Sequence, residues 1–450
     1  RVQAIGDARA ATPATGARGT PVDRILEEIR ARHAGAMEGA VADYIPELGK
    51  ADPADFGIAL ATVDGRVYAA GDAGRTFTIQ SVSKPFMYGY ALREYPKSVV
   101  LDHVGVEPTG EAFNSIILDE DRNRPFNPMV NAGAIAVAEL MKGETRLARE
   151  QNMLRLFGQF AGRRVEIDEA VYRSEAATGH RNRAIAYMML NTGMISRDPE
   201  DVLDLYFKQC AVTVSCRDLA VMAATLANGG VNPLTGEGVL GPQALRDVLT
   251  VMHSCGMYNY AGQWAYEVGL PAKSGVSGGI IAVIPGQVGV AVYSPPLDPH
   301  GNSVRGVAVC RELSARFGLH VFASGTAQRS VIRREWRADR VRSKRVRTPA
   351  QLAALGREGR RIAGVELQGA LFFGSVERLM RRLGEIAAEA DRLILDGRRA
   401  EVAEASAAGM VRELLERLAE QGLEVAVVLR PDGDAALRAG FEAARETTPI

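Results

Sequence analysis

The sequence predicts an α+β protein: an antiparallel sheet and a helical lobe form a large first domain, and a small α/β domain follows. Strand patterns separated by turn residues occur over residues 56–72 and again over 270–296. Mixed α and β patterns follow the first stretch, with helical sequence before the second. The last hundred residues alternate strand and helix patterns, which is typical of α/β layers. With 450 residues, the chain is long enough for two or three domains.

Composition narrows the class of protein. The chain has 54 basic and 54 acidic residues, so its net charge gives no reason to expect nucleic acid or anionic lipid as a partner. No apolar run reaches the roughly 18 residues of a membrane span, and the first residues lack the apolar core of a signal peptide. The four cysteines form no C-x-x-C pair, which fits a reducing compartment. We therefore expect a cytoplasmic protein without a membrane or nucleic-acid partner, a metal or an organic cofactor.

The first domain is expected over residues 21–325. Residues 1–20 are small and polar and are expected to form a disordered lead. The predicted elements of the domain are an amphipathic helix at 21–36, two strands around an Asp-Gly turn at 56–72, a helix at 82–95, strands at 270–296 and a closing helix at 304–322.

A basic segment precedes the second domain. Nine lysines and arginines fall between Gln328 and Arg347. We interpret residues 326–355 as a basic linker or interdomain arm in which the charge run is a solvated connecting helix, and a docking or anion-binding role is the alternative. The second domain, 356–450, has predicted strands at 361–367, 370–373, 392–396 and 424–429 and predicted helices at 375–390, 404–422 and 434–446.

Lysine is rare in this chain, with seven lysines against 47 arginines, so each lysine is informative. Lys84 is the only one with a serine three positions before it, in the sequence SVSKP. Residues i and i+3 share a helix face, and proline is tolerated only in the first helical turn, so Ser81 is predicted at or near an N-cap. A lysine within reach, a helix N-terminus that lowers its pKa and a free N–H together fit a serine nucleophile with a lysine base.

A second lysine motif supports this hypothesis. The sequence Lys273-Ser274-Gly275 lies 189 residues after Lys84. Serine acyl-transfer enzymes of the penicillin-recognising type pair S-x-x-K with a K-[ST]-G strand, whose lysine adds positive potential and whose edge supplies a second oxyanion N–H. Helical sequence between the two motifs fits a helical lobe inserted between the first helix and the later strands of a sheet.

Other candidate nucleophiles compete with Ser81. Ser277 lies in a G-x-S-x-G sequence, but a nucleophile elbow needs a helix after the turn, and a strand hairpin follows here. Cys255, beside Ser254 and His253, is an alternative thiol nucleophile, although a cysteine in apolar surroundings is usually inert. The histidines show no spacing typical of a metal site, and no H-E-x-x-H is present.

Several polar residues suit a zwitterionic ligand. Asn131 enters a helix of small residues, and Glu175 and Asn182 are seven residues apart, which would place them on one helical face. A carboxylate can bind an α-ammonium group, and amide side chains can donate to an α-carboxylate. Taken singly, each of these residues could equally be a helix cap or a surface polar group.

Long segments of residues 22–325 resemble the serine-dependent glutaminases, which share a β-lactamase-like fold. They include VADYIPEL, IQSVSKP, NPMVNAGAI, SEAATGHRNRAIAYMML, MHSCGMYNYAGQWAYEVGLPAKSG and SPPLDPHGNS. The resemblance implies hydrolysis of L-glutamine to L-glutamate and ammonia through a glutamyl-enzyme ester. It implies that Ser81 is the nucleophile and Lys84 its base, with Tyr44 and Tyr258 close to the reacting centre.

The resemblance also implies a substrate site. Tyr258 would pass a proton to the departing ammonia, and the backbone N–H groups of Ser81 and Val276 would form the oxyanion hole. The substrate-binding residues implied in this way are Ser81, Asn131, Glu175, Asn182, Tyr206, Tyr258 and Val276.

Residues 356–450 resemble, more weakly, the STAS domain of anti-sigma-factor antagonists and anion transporters. The D-S-S-G phosphorylation loop of the antagonists falls on Glu404-Ala405-Ser406-Ala407, where only Ser406 matches. This resemblance implies a regulatory or interaction module that takes a protein or small ligand. The glutaminase resemblance implies a homo-oligomer, either a tetramer or a dimer.

Two other functions remain open at this point. The chain could be a different serine acyl-enzyme on the same fold, such as a β-lactamase or an esterase, and hydrolysis of nitrocefin or p-nitrophenyl esters would distinguish it. It could also be a glutamine sensor without activity, although a sensor has no need for a deprotonatable lysine.

Overall fold

The computed structural model describes residues 21–110, 114–119, 121–322, 331–341, 346–371, 373–402 and 405–430. The lead predicted for residues 1–20 and the helix predicted for 434–446 lie outside the described residues. The chain divides into two compact units, residues 1–323 and 324–450. Each unit is mixed α and β, as the sequence predicts.

A five-stranded antiparallel sheet forms the centre of the first unit, in the order β2-β1-β7-β6-β5. The first two strands and the last three come from opposite ends of the unit, so the sheet closes only when the whole unit folds. A two-stranded ribbon, β3-β4, lies outside it. The strands are β1 Gly57–Thr62, β2 Val67–Gly71, β3 Thr76–Thr78, β4 Thr213–Ser215, β5 Ala272–Ser274, β6 Gly279–Ile284 and β7 Val288–Tyr293.

Helices of the first unit cover both faces of this sheet. They are α1 Pro21–His33, α2 Lys84–Glu94, α3 Lys97–His103, α4 Asn131–Glu139, α5 Arg146–Ala161, α6 Glu169–Thr178, α7 His180–Asn191, α8 Pro199–Cys210, α9 Cys216–Ala227, α10 Pro242–Cys255, α11 Ala261–Glu267 and α12 Val304–Phe317.

The sheet separates two apolar cores. On one face α1 and α12 pack over the strands, and Trp264 and Phe56 are buried there. On the other face α9 packs against β7 and β1 and joins the sheet to the helical lobe formed by α2–α10. A Cβ on Gly289 would lie 2.2 Å from the backbone nitrogen of Ala224, so glycine is what allows α9 to approach β7 this closely. This seam between lobe and sheet contains the predicted site.

The second unit is a four-stranded sheet with helices. Its strands have the order β11-β10-β9-β8, with β9, β10 and β11 parallel and β8 antiparallel at the edge. The two strands predicted at 361–367 and 370–373 form the single strand β9. The elements are β8 Ile332–Arg337, α13 Pro349–Glu358, β9 Ile362–Leu371, α14 Phe373–Ala387, β10 Arg392–Val402, α15 Ala405–Glu420 and β11 Glu424–Val428.

The segment predicted as a linker, 326–355, differs from the expectation, because strand β8 and most of α13 lie within it. The ring of Trp336 on β8 lies over Gly364 on β9, where a Cβ would be 2.1 Å from the ring. Charged side chains of β8 pair with acidic and basic neighbours: Arg333 with Glu366 at 3.2 Å, and Glu335 with Arg382 at 2.7 Å. Three of the nine basic residues in this run, Arg333, Arg334 and Arg337, therefore belong to an edge strand.

No helix in the described part of the chain has both the length and the apolar character needed to cross a membrane.

Candidate active site

The predicted nucleophile lies in a tight turn that leads into α2. Residues Gln80–Ser83 form a 3₁₀ turn, and the α-helix begins at Lys84 with Pro85 in its first turn. The N-cap of this helix is Ser83, so Ser81 lies near the N-cap, two residues before it, and not at it. Ser81 is 6% exposed and Lys84 is 1% exposed, so both side chains are buried.

Lys84 is hydrogen-bonded to a side chain of the helical lobe. Its ammonium donates to Oδ1 of Asn131 at 2.8 Å, and Nδ2 of Asn131 donates to Oδ1 of Asn182 at 3.0 Å. Burial lowers the pKa of Lys84 to about 8, and the nearby Cys210 and Glu175 oppose this shift. The lysine can therefore lose its proton near neutral pH, which an arginine could not do.

Tyr258 contacts the nucleophile from the side of the sheet. It has a left-handed backbone, with φ of +58°, and its hydroxyl is hydrogen-bonded to Ser81 and donates to the carbonyl of Ser274 at 2.8 Å. The same carbonyl accepts a hydrogen bond from Nζ of Lys273 at 2.6 Å. Burial, together with the nearby Lys84, lowers the pKa of Lys273 well below its usual value, and its Nζ lies 4.1 Å from the centre of the Tyr258 ring.

Gly275, the last residue of the K-S-G motif, lies against the nucleophile turn. A Cβ at this position would be 3.1 Å from the carbonyl oxygen of Ile79 and 3.3 Å from the nitrogen of Val82. A larger residue would press on the backbone on both sides of Ser81. Glycine therefore lets the loop after β5 reach the turn and bring Val276 to the cavity beside the serine.

A cavity of about 120 Å³ opens above Ser81. The side chains that line it include polar groups from the nucleophile turn and the lobe. Its lining residues are Tyr44, Ile45, Gln80, Ser81, Asn114, Asn131, Glu175, Thr178, Gly179, Arg181, Asn182, Tyr206, Cys210 and Val276.

Glu175 provides the buried carboxyl group of this cavity. Its Oε2 accepts a hydrogen bond from Nε2 of Gln80 at 3.4 Å, and it is also hydrogen-bonded to the thiol of Cys210. Burial raises the pKa of Glu175 to about 7, against the opposing effects of these hydrogen bonds and the charge of Lys84. A cationic ligand group beside it would favour the charged carboxylate.

The expectation that Glu175 and Asn182 share one helical face was wrong. They lie on two helices, α6 and α7, which meet at Gly179. A Cβ on Gly179 would be 2.5 Å from the ring of Phe207, so the ring occupies the space where a side chain would project. Both residues nevertheless face the same cavity, because the chain turns between them.

The predicted site residues come together in one place. Tyr44, Ser81, Asn131, Glu175, Asn182, Tyr206 and Val276 line the cavity, and Lys84 and Tyr258 join it through Asn131 and Ser81. Tyr44 lies at the entrance and is 55% exposed. Sequence reasoning did not single out Gln80 or Cys210; the position of Gln80 directly before the nucleophile was the available signal.

The competing nucleophiles have other surroundings. Ser277 lies between β5 and β6, so no helix follows it and the context of a nucleophile elbow is absent. Cys255 is buried at the end of α10, and burial raises the pKa of its thiol, which disfavours the reactive thiolate. Among the described residues, no cluster of three or more His, Cys, Asp or Glu side chains could hold a metal ion.

A serine before a helix, a buried lysine three residues later and a K-S-G strand edge against the turn define a class: the serine hydrolases with a β-lactamase-like fold. Residues 39–322 match the family model described as Glutaminase, and residues 357–437 match the one described as STAS domain. The chain belongs to the glutaminase family.

Relatives agree with this assignment. A curated protein named Glutaminase from Trichormus variabilis is 58% identical over 305 residues, which cover 68% of this chain and 91% of that protein. Another Glutaminase, from Corynebacterium glutamicum, is 41% identical over 414 residues, or 92% of this chain and 95% of that protein. The second alignment therefore also extends into the C-terminal unit.

Solved structures also resemble this chain, one of them over most of its length and another over about two thirds of it. A crystal structure of a protein called Mglu has a TM-score of 0.79 and 38% identity, and the match covers 92% of this chain and 99% of that chain. A probable glutaminase from Bacillus subtilis, in complex with 6-diazo-5-oxo-L-norleucine, has a TM-score of 0.63 and 34% identity, and the match covers 68% of this chain and 99% of that chain.

Proposed function

We propose that this chain hydrolyses L-glutamine to L-glutamate and ammonia, with Ser81 as nucleophile and Lys84 as general base. The observation that carries the proposal is a buried lysine with a pKa of about 8, one turn after a serine at the base of a polar cavity. Relatives named Glutaminase at 58% and 41% identity support the choice of substrate.

The cavity suits the amino-acid end of glutamine. The carboxyl group of Glu175 would bind the α-ammonium group, since a charge-assisted hydrogen bond is worth more than a neutral one. The amides of Asn131 and Asn182 and the hydroxyl of Tyr206 would bind the α-carboxylate. This arrangement directs the side-chain amide of the substrate toward Ser81.

The reaction then proceeds in two halves. Lys84 takes the proton of Ser81, and Oγ bonds to the side-chain carbonyl carbon to form a tetrahedral oxyanion, which accepts hydrogen bonds from the N–H groups of Ser81 and Val276. The C–N bond breaks, and Tyr258 passes its proton to the departing nitrogen, which leaves as ammonia, while the proton that Lys84 took from Ser81 moves to Tyr258 and restores its hydroxyl. In the second half Lys84, neutral again, takes a proton from water, whose oxygen bonds to the ester carbonyl carbon. The ester C–O bond then breaks, Oγ of Ser81 regains a proton from Lys84, and glutamate leaves.

Ammonia release from L-glutamine, coupled to glutamate dehydrogenase, tests the proposal. L-Asparagine is run in parallel, and Ser81→Ala is the matched variant, since it removes one oxygen atom. We expect release that is specific for glutamine and is lost in Ser81→Ala. Binding of glutamine by calorimetry without any release would indicate a sensor instead, and equal turnover of nitrocefin or p-nitrophenyl esters would indicate another serine acyl-enzyme.

The wider assembly is part of the proposal. We expect a cytoplasmic homo-oligomer, a tetramer or a dimer, with a catalytic domain over 21–325 and a STAS-like regulatory or interaction domain over 356–450. The four cysteines are all unpaired and buried, which fits a reducing compartment. The match to the STAS family supports a protein or small ligand at the second domain. Light scattering on the purified chain would measure the oligomeric state.

A further inference from the structure

The residue before the nucleophile has an unusual backbone. Gln80 has φ of +48°, in the left-handed region that side chains other than glycine rarely adopt, and it is 2% exposed. A conformation of this kind persists only where its surroundings hold it. What holds Gln80 therefore also sets the direction of the peptide group that links it to Ser81.

Two buried side chains hold this peptide group. The hydroxyl of Ser83 donates to the carbonyl oxygen of Gln80 at 2.6 Å, and Nε2 of Gln209, on α8, donates to the hydroxyl of Ser83 at 2.9 Å. Ser83 and Gln209 are both fully buried. Since the proton of Ser83 is used on Gln80, Gln209 must present its NH₂ group to Ser83, which fixes the orientation of its amide.

The peptide group carries this constraint to the site. A trans peptide is planar, so the carbonyl of Gln80 and the N–H of Ser81 point in opposite directions. Fixing the carbonyl oxygen on the side of Ser83 therefore directs the N–H of Ser81 the opposite way. A hydrogen bond to the carbonyl also polarises the peptide group and strengthens its N–H as a donor.

We propose that Ser83 and Gln209 are positioning residues that direct the backbone N–H of Ser81 toward the oxyanion. This rests on the function proposed above, in which that N–H stabilises the tetrahedral intermediate. Gln209 is a costly residue to bury, because among the described residues no donor reaches its Oε1. The hydrogen bond that Gln209 does make is the one to the hydroxyl of Ser83.

The test compares kcat and KM for glutamine in full-length variants. We expect Ser83→Ala to lower kcat by about 10- to 100-fold, less than the roughly 100- to 1,000-fold typical of deleting an oxyanion donor. KM for glutamine and inhibition by L-glutamate, whose side-chain carboxylate carbon is planar and forms no oxyanion, should change by less than threefold. Gln209→Leu should lower kcat in the same direction, and the double variant should be no worse than Ser83→Ala.

The control is Ser314→Ala. Ser314 is 2% exposed and its hydroxyl donates to the carbonyl of Val268 at 2.6 Å, so it loses the same kind of bond away from the site. The melting temperature of Ser314→Ala should fall about as far as that of Ser83→Ala, while its kcat should stay at the wild-type value. Should Ser83→Ala not fold, Gln209→Leu and Ser83→Cys, with a weaker donor, carry the same comparison.

Three results would overturn the inference: a kcat within threefold of wild type in Ser83→Ala, a rise in KM with kcat unchanged, or an equal loss of kcat in Ser314→Ala. A failure of the proposed function looks different. In that case the wild type releases no ammonia, or Ser81→Ala remains active, and both proposals fall together.

Discussion

Replacing Lys84 by arginine separates the charge of the base from its ability to lose a proton. The guanidinium keeps the positive charge, but its pKa stays above 12, so it cannot accept the proton of Ser81. Burial lowers the pKa of Lys84 from 10.5 to about 8. At pH 7.5 this raises the neutral fraction from about one in a thousand to about one in four.

The loss of kcat expected for Lys84→Arg follows from this neutral fraction of Lys84. The burial of Lys84 raises its free-base fraction by about two orders of magnitude, and general base catalysis is worth roughly 100- to 10,000-fold. We therefore expect Lys84→Arg to lower kcat by about 100-fold or more while glutamine binding, measured by calorimetry, changes little. In the wild type, kcat should rise with pH toward about 8, and this rise should be absent in the variant.

The matched control is Lys142→Arg. Lys142 is half-exposed and pairs with Glu94 at 2.9 Å, so this variant makes the same chemical change at the surface and should keep kcat. The reasoning fails if Lys84→Arg is folded by circular dichroism and retains kcat within about threefold. Tyr258 or Tyr44 would then be the true base.

Two further predictions concern the cavity and the domains. Glu175→Gln should raise KM for glutamine by about 10-fold or more with a smaller change in kcat, because it replaces a charge-assisted hydrogen bond to the α-ammonium group. The pKa of Glu175 is about 7 and the carboxylate is the form that binds the substrate, so kcat/KM of the wild type should rise with pH from 6 to 8. Glu175→Gln should make this rise shallower. A lower kcat at unchanged KM in the variant would contradict this role. Truncation after Gly325 should leave a folded, active enzyme by size-exclusion chromatography and ammonia release, since the chain divides into two compact units near this point; an insoluble product would mean that the C-terminal unit supports the catalytic one.

The features that were predicted best from the sequence are those that depend on residues a few positions apart in the chain. Ser81 and Lys84 are three residues apart, and Pro85 restricts where the helix can begin, so their relation follows from local geometry. The strand pair around the Asp-Gly turn was predicted for the same reason and is confirmed as β1 and β2.

Features that depend on distant packing were missed. At Gly179, where α6 ends and α7 begins, the ring of Phe207 fills the space that a side chain would need, and Phe207 lies 28 residues further along the chain. Strand β8 forms because Trp336 fits over Gly364, and its own charges resemble those of a linker. The cavity wall at Cys210 depends on how α8 packs on the nucleophile turn, which no pattern within α8 indicates.

The contact of Gly275 with the nucleophile turn has a mechanical consequence. The two proposed oxyanion donors belong to different bodies: Ser81 moves with the helical lobe, and Val276 moves with the sheet. A shear of one body over the other by a fraction of an ångström would separate the donors without breaking any strand or helix. kcat should therefore respond to small changes in the packing between lobe and sheet that leave the melting temperature unchanged, because a melting curve reports only the unfolding of the lobe and the sheet.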